Sequence, residues 1–366
     1  MSGRLRICYL GAYDPAYPRN AILRAGLEQA GVEVVECRVS PGTPIVLRPA
    51  ALLGRFLRLR RRRFDAFIVA ELNPEVAWLA RLLALPGRTP VVFDVFFSKY
   101  DAAVYDRVTV HAGSPRARAF YLIESAALRM AHVVLADTAA HADHYRRIFS
   151  LRRARFEVVP VGADERIFGP ASRRPGPDGH CVVGFWGTYI PLHGVETIIE
   201  SAARLRDQPL RFELVGRGQT YSRAAAMVRD LGRSNVRLLP MITPAELGPF
   251  AQRCDIGLGI FGATPKAARV VPHKVFQAAL SGLPVVTRDG PAVREFFQDD
   301  ENVLLVPPAD PGALAEALLK LAGDPVLRRR IGQSGSILVS ERYTCAPIGL
   351  CLERVLRRAV DARLGA

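Results

Sequence analysis

The residues best placed to do chemistry in this 366-residue chain lie between Gly257 and Gly290. That stretch, GLGIFGATPKAARVVPHKVFQAALSGLPVVTRDG, carries Lys266, Arg269 and Lys274, and no Asp or Glu stands anywhere from Ile256 to Arg288. A short apolar run ends at Phe261-Gly262 and reads as a buried strand stopping at a glycine turn. Pro272 sits where the first turn of a helix should begin, and Gly282 where it should end. Val275, Phe276, Ala279 and Leu280 give that helix an apolar side. A lysine in its first turn has the wrong sign for the helix dipole, by about 0.3–1 kcal/mol. Cations converging on a helix N-terminus suit an anion, and Val270, Val271 and Pro272 separate them where a solvated basic loop would carry polar filler. The stretch reads as a phosphate or diphosphate site.

The totals set the class of partner. A length of 366 residues suits about two domains, and 49% hydrophobic content describes a globular chain. A net charge of +15 and a pI near 10.1 point to acidic partners. Cys8, Cys37, Cys181, Cys254, Cys345 and Cys351 are scattered through apolar segments, which reads as reduced core thiols. No Cys-x-x-Cys occurs, and His141 and His144 read as surface histidines, so no metal is expected. The start, MSGRLRICYLG, is too soon interrupted for a signal peptide, and no apolar run reaches membrane-spanning length. A cytoplasmic protein is expected.

In order, RICYLG is a strand ending in glycine, and GAYDPAYPRN is an irregular loop before a helix and the strand VEVVECRV. That is the opening of an α/β domain with a parallel sheet. The loop lacks G-x-G-x-x-G, so no dinucleotide fingerprint is present. Its place still matters, because ligands in such sheets bind beyond the carboxyl ends of the strands. Gly11, Ala12, Tyr13 and Asp14 are therefore expected on the site. Between Ile45 and Asp65, Leu52, Leu53, Phe56 and Leu59 share one helical side, while Arg55, Arg58 and Arg60 to Arg63 crowd the rest. Such a helix either lies on an anionic membrane surface or packs its apolar side on the sheet. No nucleic-acid module accompanies the arginines. Asp94 lies inside a further strand, PVVFDVFF, with Lys99, Asp101, Asp106 and Arg107 in the window after it. Asp94 there is either a substrate contact or a loop cap.

ERIFGPASRRPGPDGH is rich in Pro, Gly and Arg, and the boundary between domains is expected near Pro170 to Gly179. The second half restarts the pattern with CVVGFWGTY, LRFELVGRGQ and NVRLLP, so Gly187, Gly216, Gly262 and Pro272 are expected at one edge of a second doubly wound sheet.

These motifs carry a resemblance. PHKVFQAALSGLPVVT, LVGRGQ and VVGFWGTYIPLHGVETIIESAARL resemble the donor domain of the retaining nucleotide-sugar glycosyltransferases of family 4 (group 1). ADTAAHADHY with VVPVGADERIF resembles the end of that family's acceptor domain, and the likeness runs from about Ala131 to Val339. It implies a GT-B fold: two Rossmann-like doubly wound parallel-sheet domains facing a central cleft. The expected spans are residues 1–170, residues 171–345, and a helix over 346–366 packing back on the first domain.

The resemblance implies metal-independent transfer of a sugar, with retention, from a nucleoside-diphosphate sugar to a glycan or lipid-linked acceptor. A catalytically silent relative that binds nucleotide or carbohydrate is the alternative. The chain departs from the family pattern in places. A Glu pair becomes Arg269 and Gln277, an Arg-x5-Lys pair becomes Thr188 and His193, and Phe96-Phe97 stand where a histidine is usual. Gly187, Thr188, Lys266, Arg269 and Lys274 are thus the implied diphosphate set. Gly216, Gly218, Leu239 and Gln277 are implied for ribose and base, Gly11 to Asp14 with Arg107 for the acceptor, and Asp94, Asp101 and Lys274 for catalysis. A cytoplasmic enzyme at the inner face of a membrane, touching it through Leu52 to Arg63, fits that set.

Overall fold

The computed structural model describes residues 4–170, 179–232 and 235–364. The chain divides into two compact units, Met1–Val161 with Cys345–Ala366, and Gly162–Thr344.

In unit 1 the strands β1 (Arg6–Ala12), β2 (Glu33–Val39), β3 (Ala66–Val69), β4 (Val91–Asp94), β5 (Val133–Ala136) and β6 (Phe156–Val158) form one parallel sheet, in the order β2-β1-β3-β4-β5-β6. Between them run α1 (Pro18–Gln29), α2 (Arg48–Leu59), α3 (Ala77–Ala84), the short α4 (Lys99–Asp101), α5 (Pro115–Met130) and α6 (Ala139–Ile148). A period of two along each strand sends alternate residues to opposite faces. Ile7, Tyr9 and Ile68 pack with α1, while Cys8, Leu10 and Phe67 pack under α2, α3 and α5. Both faces are covered, which is why the strands read as unbroken apolar runs.

The apolar side expected on α2 is spent on that packing. Leu52 is fully buried and Phe56 stacks on Phe64 and Phe67, whereas Leu53 turns outward at 40% exposure.

Unit 2 repeats the plan with β7 (Cys181–Trp186), α7 (Val195–Arg204), β8 (Leu210–Val215), α8 (Tyr221–Asp230), β9 (Val236–Leu239), α9 (Pro244–Gln252), β10 (Ile256–Leu258), α10 (His273–Leu280), β11 (Val285–Arg288), β12 (Leu304–Val306), α11 (Pro311–Gly323) and α12 (Pro325–Arg342). Its parallel order is β12-β11-β10-β7-β8-β9. The last helix, α13 (Cys345–Leu364), belongs to unit 1 and packs closely on α1, where Gly349 meets Gly26.

Unit 2 starts at Gly162, ahead of the boundary expected at Pro170 to Gly179, and residues 171–178 of that stretch lie outside the described residues. Local bonds explain the earlier start: Ala163 N–H donates to Tyr343 O, and the carbonyl of Gly162 meets His273 Nδ1 at 3.0 Å. All six cysteines are free thiols, as expected. Among the described residues no helix is long and apolar enough to cross a membrane.

Candidate functional site

Each sheet reverses its strand order once, and a parallel α/β sheet opens a crevice at that point, beyond the carboxyl ends of the strands. In unit 2 the reversal lies between β7 and β10. The turn after β7 carries Gly187 to Gly194, and α10 follows the loop after β10.

Lys274 joins the two. Its side chain leaves the first turn of α10 and lies on the Phe185 ring, with Nζ 3.8 Å from the centroid. A Cβ built on Gly187 would meet that Nζ at 2.7 Å and the His193 ring at 3.4 Å. Glycine at 187, with φ of 148°, is what admits the ammonium. Lys274 is only 5% exposed, and its Nζ has no hydrogen-bond partner among the described residues. Burial alone pushes its pKa well below the ordinary lysine value, with no carboxylate to oppose the shift. The result is a buried amino group that no acid among the described residues answers.

The rest of the crevice is backbone brought to close approach. A Cβ on Gly216 would fall 2.0 Å from Gly187 O, so the turns after β7 and β8 touch there. His193 Nδ1 hydrogen-bonds Thr188 O, and because a carbonyl only accepts, that nitrogen carries the proton. Phe261 N–H donates to His193 O at 3.0 Å and Gly262 N–H to Leu192 O at 3.2 Å, which fastens the end of β10 to the same turn. Arg288, unmarked in the sequence reading, ends β11 and braces this edge by donating from Nη1 to Gly262 O at 3.1 Å. Burial lowers its pKa.

The other expected donor-side residues fall as follows. Lys266 is buried and Arg269 half-buried on the loop before α10, in successive turns where Ala267 N–H bonds Thr264 O and Arg269 N–H bonds Lys266 O. Thr188 is exposed, and Gly218 lies beside it, its would-be Cβ 2.9 Å from Thr188 Cγ2. Leu239 O accepts from Gly216 N–H at 3.2 Å. Gly187 needs a correction: its N–H donates to Val215 O at 3.0 Å in the continuation of the strand ladder, so it has no amide to offer an anion. Gln277 also differs from expectation, since its Oε1 accepts from Trp186 Nε1 at 2.8 Å. Its amide NH2 and the second lone pair of that oxygen remain for a ligand.

In unit 1 the order reverses between β1 and β3. Asn73 clamps that point, accepting from Ala12 N–H at 2.7 Å and donating to Glu71 O at 2.6 Å. Gly11 lies against the Asn73 side chain. Tyr13 is buried with its hydroxyl on Glu36 Oε2 at 2.9 Å, and Asp14 caps a turn through Ala16 N–H at 2.9 Å.

Two expected catalytic carboxylates are already spoken for. Asp94 is fully buried in a bidentate pair with Arg19, Nε to Oδ2 at 2.9 Å and Nη2 to Oδ1 at 3.0 Å. Arg19 Nη1 also donates to Val159 O and Pro160 O, so the pair ties α1 to the ends of β4 and β6. Asp101 is buried with Oδ1 2.9 Å from His144 Nε2. Neither carboxylate is open to substrate. Nor are the histidines on the surface: His141 is fully buried with Nδ1 2.6 Å from Asp137 Oδ1. Arg107 lies over the Phe97 ring, 5.4 Å to its centroid.

The carboxyl that the sequence reading missed is Glu71. It follows β3 at the reversal point, is 5% exposed, and its Oε2 has no hydrogen-bond partner among the described residues. Burial, helped by the nearby Asp94 charge, pushes its pKa up to about 7. A lone acid at a strand end has no spacing to mark it. The one signal available was its place beside the Gly11 turn.

Two doubly wound sheets, the second with a buried lysine at its strand-order reversal, define a two-unit α/β protein. Comparison with known proteins narrows this. Residues 180–324 match the model "Glycosyl transferases group 1", and residues 5–162 match "Glycosyl transferase 4-like domain". The chain belongs to the group 1 (family 4) glycosyltransferases and has the GT-B fold.

Among curated relatives, it is 25% identical over 236 residues to an MMP alpha-(1->4)-mannosyltransferase of Mycolicibacterium hassiacum. It is 27% identical over 277 residues to a D-inositol 3-phosphate glycosyltransferase of Nocardia farcinica. These matches take in 64% and 71% of this chain but 55% and 59% of those proteins. Among solved structures, sucrose-phosphate synthase from Thermosynechococcus elongatus superposes with a TM-score of 0.75 at 16% identity, over 98% of this chain and 100% of that one. Anabaena HepE in complex with UDP and glucose gives 0.69 at 15% identity, over 97% and 100%.

Proposed function

We propose that the protein transfers a sugar from a nucleoside-diphosphate sugar to an acceptor, with retention at the anomeric carbon, and that Lys274 receives the diphosphate. The observation that carries this reading is the buried Lys274 side chain, without an acid partner among the described residues, at the strand-order reversal of unit 2. When the bond between the sugar and the phosphate oxygen breaks, its electron pair leaves on the diphosphate. A cation held in place beforehand, in a site short of water, stabilises that charge without having to reorganise. The N-terminus of α10 adds partial positive charge beside it. Lys266 and Arg269, on the loop before α10, and Thr188, after β7, are assigned to the same diphosphate set.

Ribose and base lie toward Gly216, Gly218 and Leu239, with the Gln277 amide as a hydroxyl contact. Support for a nucleotide donor comes from relatives named as glycosyltransferases and from the fold shared with a UDP complex. On the acceptor side Asp94 and Asp101 are engaged by Arg19 and His144, which leaves Glu71 as the candidate base. A carboxyl near neutrality, with an unpaired oxygen at the reversal point of unit 1, can take a proton from an acceptor hydroxyl. The acceptor is a glycan or lipid-linked carbohydrate.

A thermal-shift screen against UDP, GDP, ADP and their sugars, followed by a turnover assay with the stabilising sugar nucleotide, tests this. Stabilisation and sugar transfer are expected, and Lys274→Ala and Arg269→Ala should each abolish transfer while the protein stays folded. Binding without transfer would favour the catalytically silent alternative, toward which the engaged Gln277 carbonyl also points. Full activity in Lys274→Ala would remove the diphosphate assignment.

A further inference from the structure

The outer surface of unit 1 on the side of α2, α3 and α5 differs in character from the opposite side. These helices lie side by side, α2 over β1 and β2, α3 over β3 and β4, and α5 against α3. Their inward residues fill the core, yet their outward residues are also large and apolar. On α3, Trp78, Leu82 and Leu85 recur at helical spacing and are 46%, 54% and 52% exposed. α2 turns Leu53 and Leu57 outward, and α5 adds Leu122 and Ile123. Just before α2, Val46 stands 84% exposed between Ile45 and Leu47.

The exposed charge of these helices is basic, and Glu75, just ahead of α3, is taken up by Arg48 and Lys99. α2 and α3 contain no Asp or Glu, and the one acid of α5, Glu124, points inward to Ser98 and the Lys99 amide. Arg55, Arg58, Arg60, Arg61 and Arg63 are exposed and pair with no acid among the described residues, whereas Arg62 meets Glu33. On the opposite side α13 mixes signs, with Glu353 and Asp361 among its arginines.

Contiguous apolar exposure of this extent marks an interaction surface. Unpaired arginines without acids select an anionic partner, while an outward Trp-Leu-Leu stripe has no use against a phosphate backbone. A bilayer with anionic headgroups satisfies both: apolar side chains enter the headgroup boundary, and arginines lay their stems along it with the guanidinium at the phosphates. We propose that the outer layer of α2, α3 and α5 docks the protein onto an anionic lipid bilayer. The contact is the three-helix layer, because the inward side of α2 is already committed to the core. This goes beyond the sugar-transfer reading and does not depend on it.

The chain carries its own probe. It has two tryptophans, of which Trp186 is 3% exposed and bonded to Gln277, so fluorescence changes on vesicles report Trp78. The full-length protein is to be mixed with phosphatidylcholine vesicles with and without phosphatidylglycerol, followed by co-sedimentation and quenching by brominated lipid. Expected are binding only with phosphatidylglycerol, a blue shift, and quenching that disappears in Trp78→Phe. Arg55→Gln and Arg58→Gln should each weaken binding roughly fivefold, from about 1 kcal/mol per arginine. Leu82→Ser should weaken it further with unchanged circular dichroism.

Three results would overturn the proposal: no co-sedimentation with phosphatidylglycerol vesicles, binding that leaves Trp78 emission unchanged, or a concentration-dependent dimer that buries Trp78 without lipid. Nucleotide thermal shifts on the same variants should not move, which keeps this test separate from the donor-site reading.

Discussion

Replacing Lys274 by Met should make the free protein more stable and the nucleotide-bound protein less so. The Lys274 side chain is buried and, among the described residues, makes no hydrogen bond and is answered only by the Phe185 face at 3.8 Å. An unsatisfied buried polar group costs about 1–3 kcal/mol, and more when charged. A cation on an aromatic face returns about 0.5–2 kcal/mol. Methionine keeps the length and the ring contact without the charge, so a net gain of about 1–2 kcal/mol is expected. For a unit of this size each kcal/mol shifts Tm by about 2–4 °C. Ligand at one hundred times its Kd adds about 2.7 kcal/mol to the wild type, and the variant should lose most of that. The two melting curves therefore change order when nucleoside diphosphate is added. The pH dependence has a definite sign. A lysine whose folded pKa is lowered binds fewer protons folded than unfolded, so wild-type stability rises with pH from that lowered value up to about 10.4, the ordinary lysine value. The Met variant should lack that slope. Differential scanning fluorimetry across pH, with and without UDP, GDP or ADP, reads both effects. A Met variant less stable than wild type when free, or one with an undiminished nucleotide shift, would refute the reasoning.

Gly187→Ala should displace the ammonium, since its Cβ would sit 2.7 Å from Nζ at a φ of 148°; a cost of about 1–3 kcal/mol and weaker nucleotide binding by titration are expected. Glu71→Gln should flatten the rise in turnover through pH 7 while leaving donor affinity unchanged in the same assay. Because a carboxyl pKa raised to about 7 means extra proton binding in the folded state, wild-type stability should fall between about pH 4.3 and 7; Glu71→Gln should remove part of that fall, and Glu124, also raised to about 7, should keep the remainder. Arg19→Met should cost about 3–5 kcal/mol by denaturant titration, and Arg19→Met with Asp94→Leu should recover most of it, as a structural pair requires.

The fold was largely legible because its signals are local. Unbroken apolar runs, each closed by a glycine and followed by a helix, announce parallel strands with both faces covered, and RICYLG and CVVGFWG do so in succession. The stretch from Lys266 to Gln277 was legible for the same reason: its cations and its helix start are neighbours in sequence. What the sequence hid are pairings between residues far apart. Arg19 and Asp94 are 75 positions apart, and Trp186 and Gln277 are 91 apart. Asp94 looked available to substrate because it ends a strand at the edge where ligands bind. Only the folded chain brings Arg19 to it.

Arg19 also shows why the Lys274 signal was ambiguous in sequence. Each residue is a cation in the first turn of a helix, where the dipole disfavours it, and each helix starts at or just after a proline. Each also lies toward the carboxyl-terminal edge of its own parallel sheet. In unit 1 the chain supplies the counter-charge itself, and both oxygens of Asp94 close on the guanidinium. In unit 2 no carboxylate among the described residues approaches Lys274, and its amino group stays desolvated without a hydrogen-bond partner among them. The same sequence feature thus yields a structural bolt in one unit and, in the function proposed above, an anion seat in the other. What separates them is whether an acid arrives from a distant strand. If unit 2 held its own acid opposite Lys274, the case for a diphosphate there would fall.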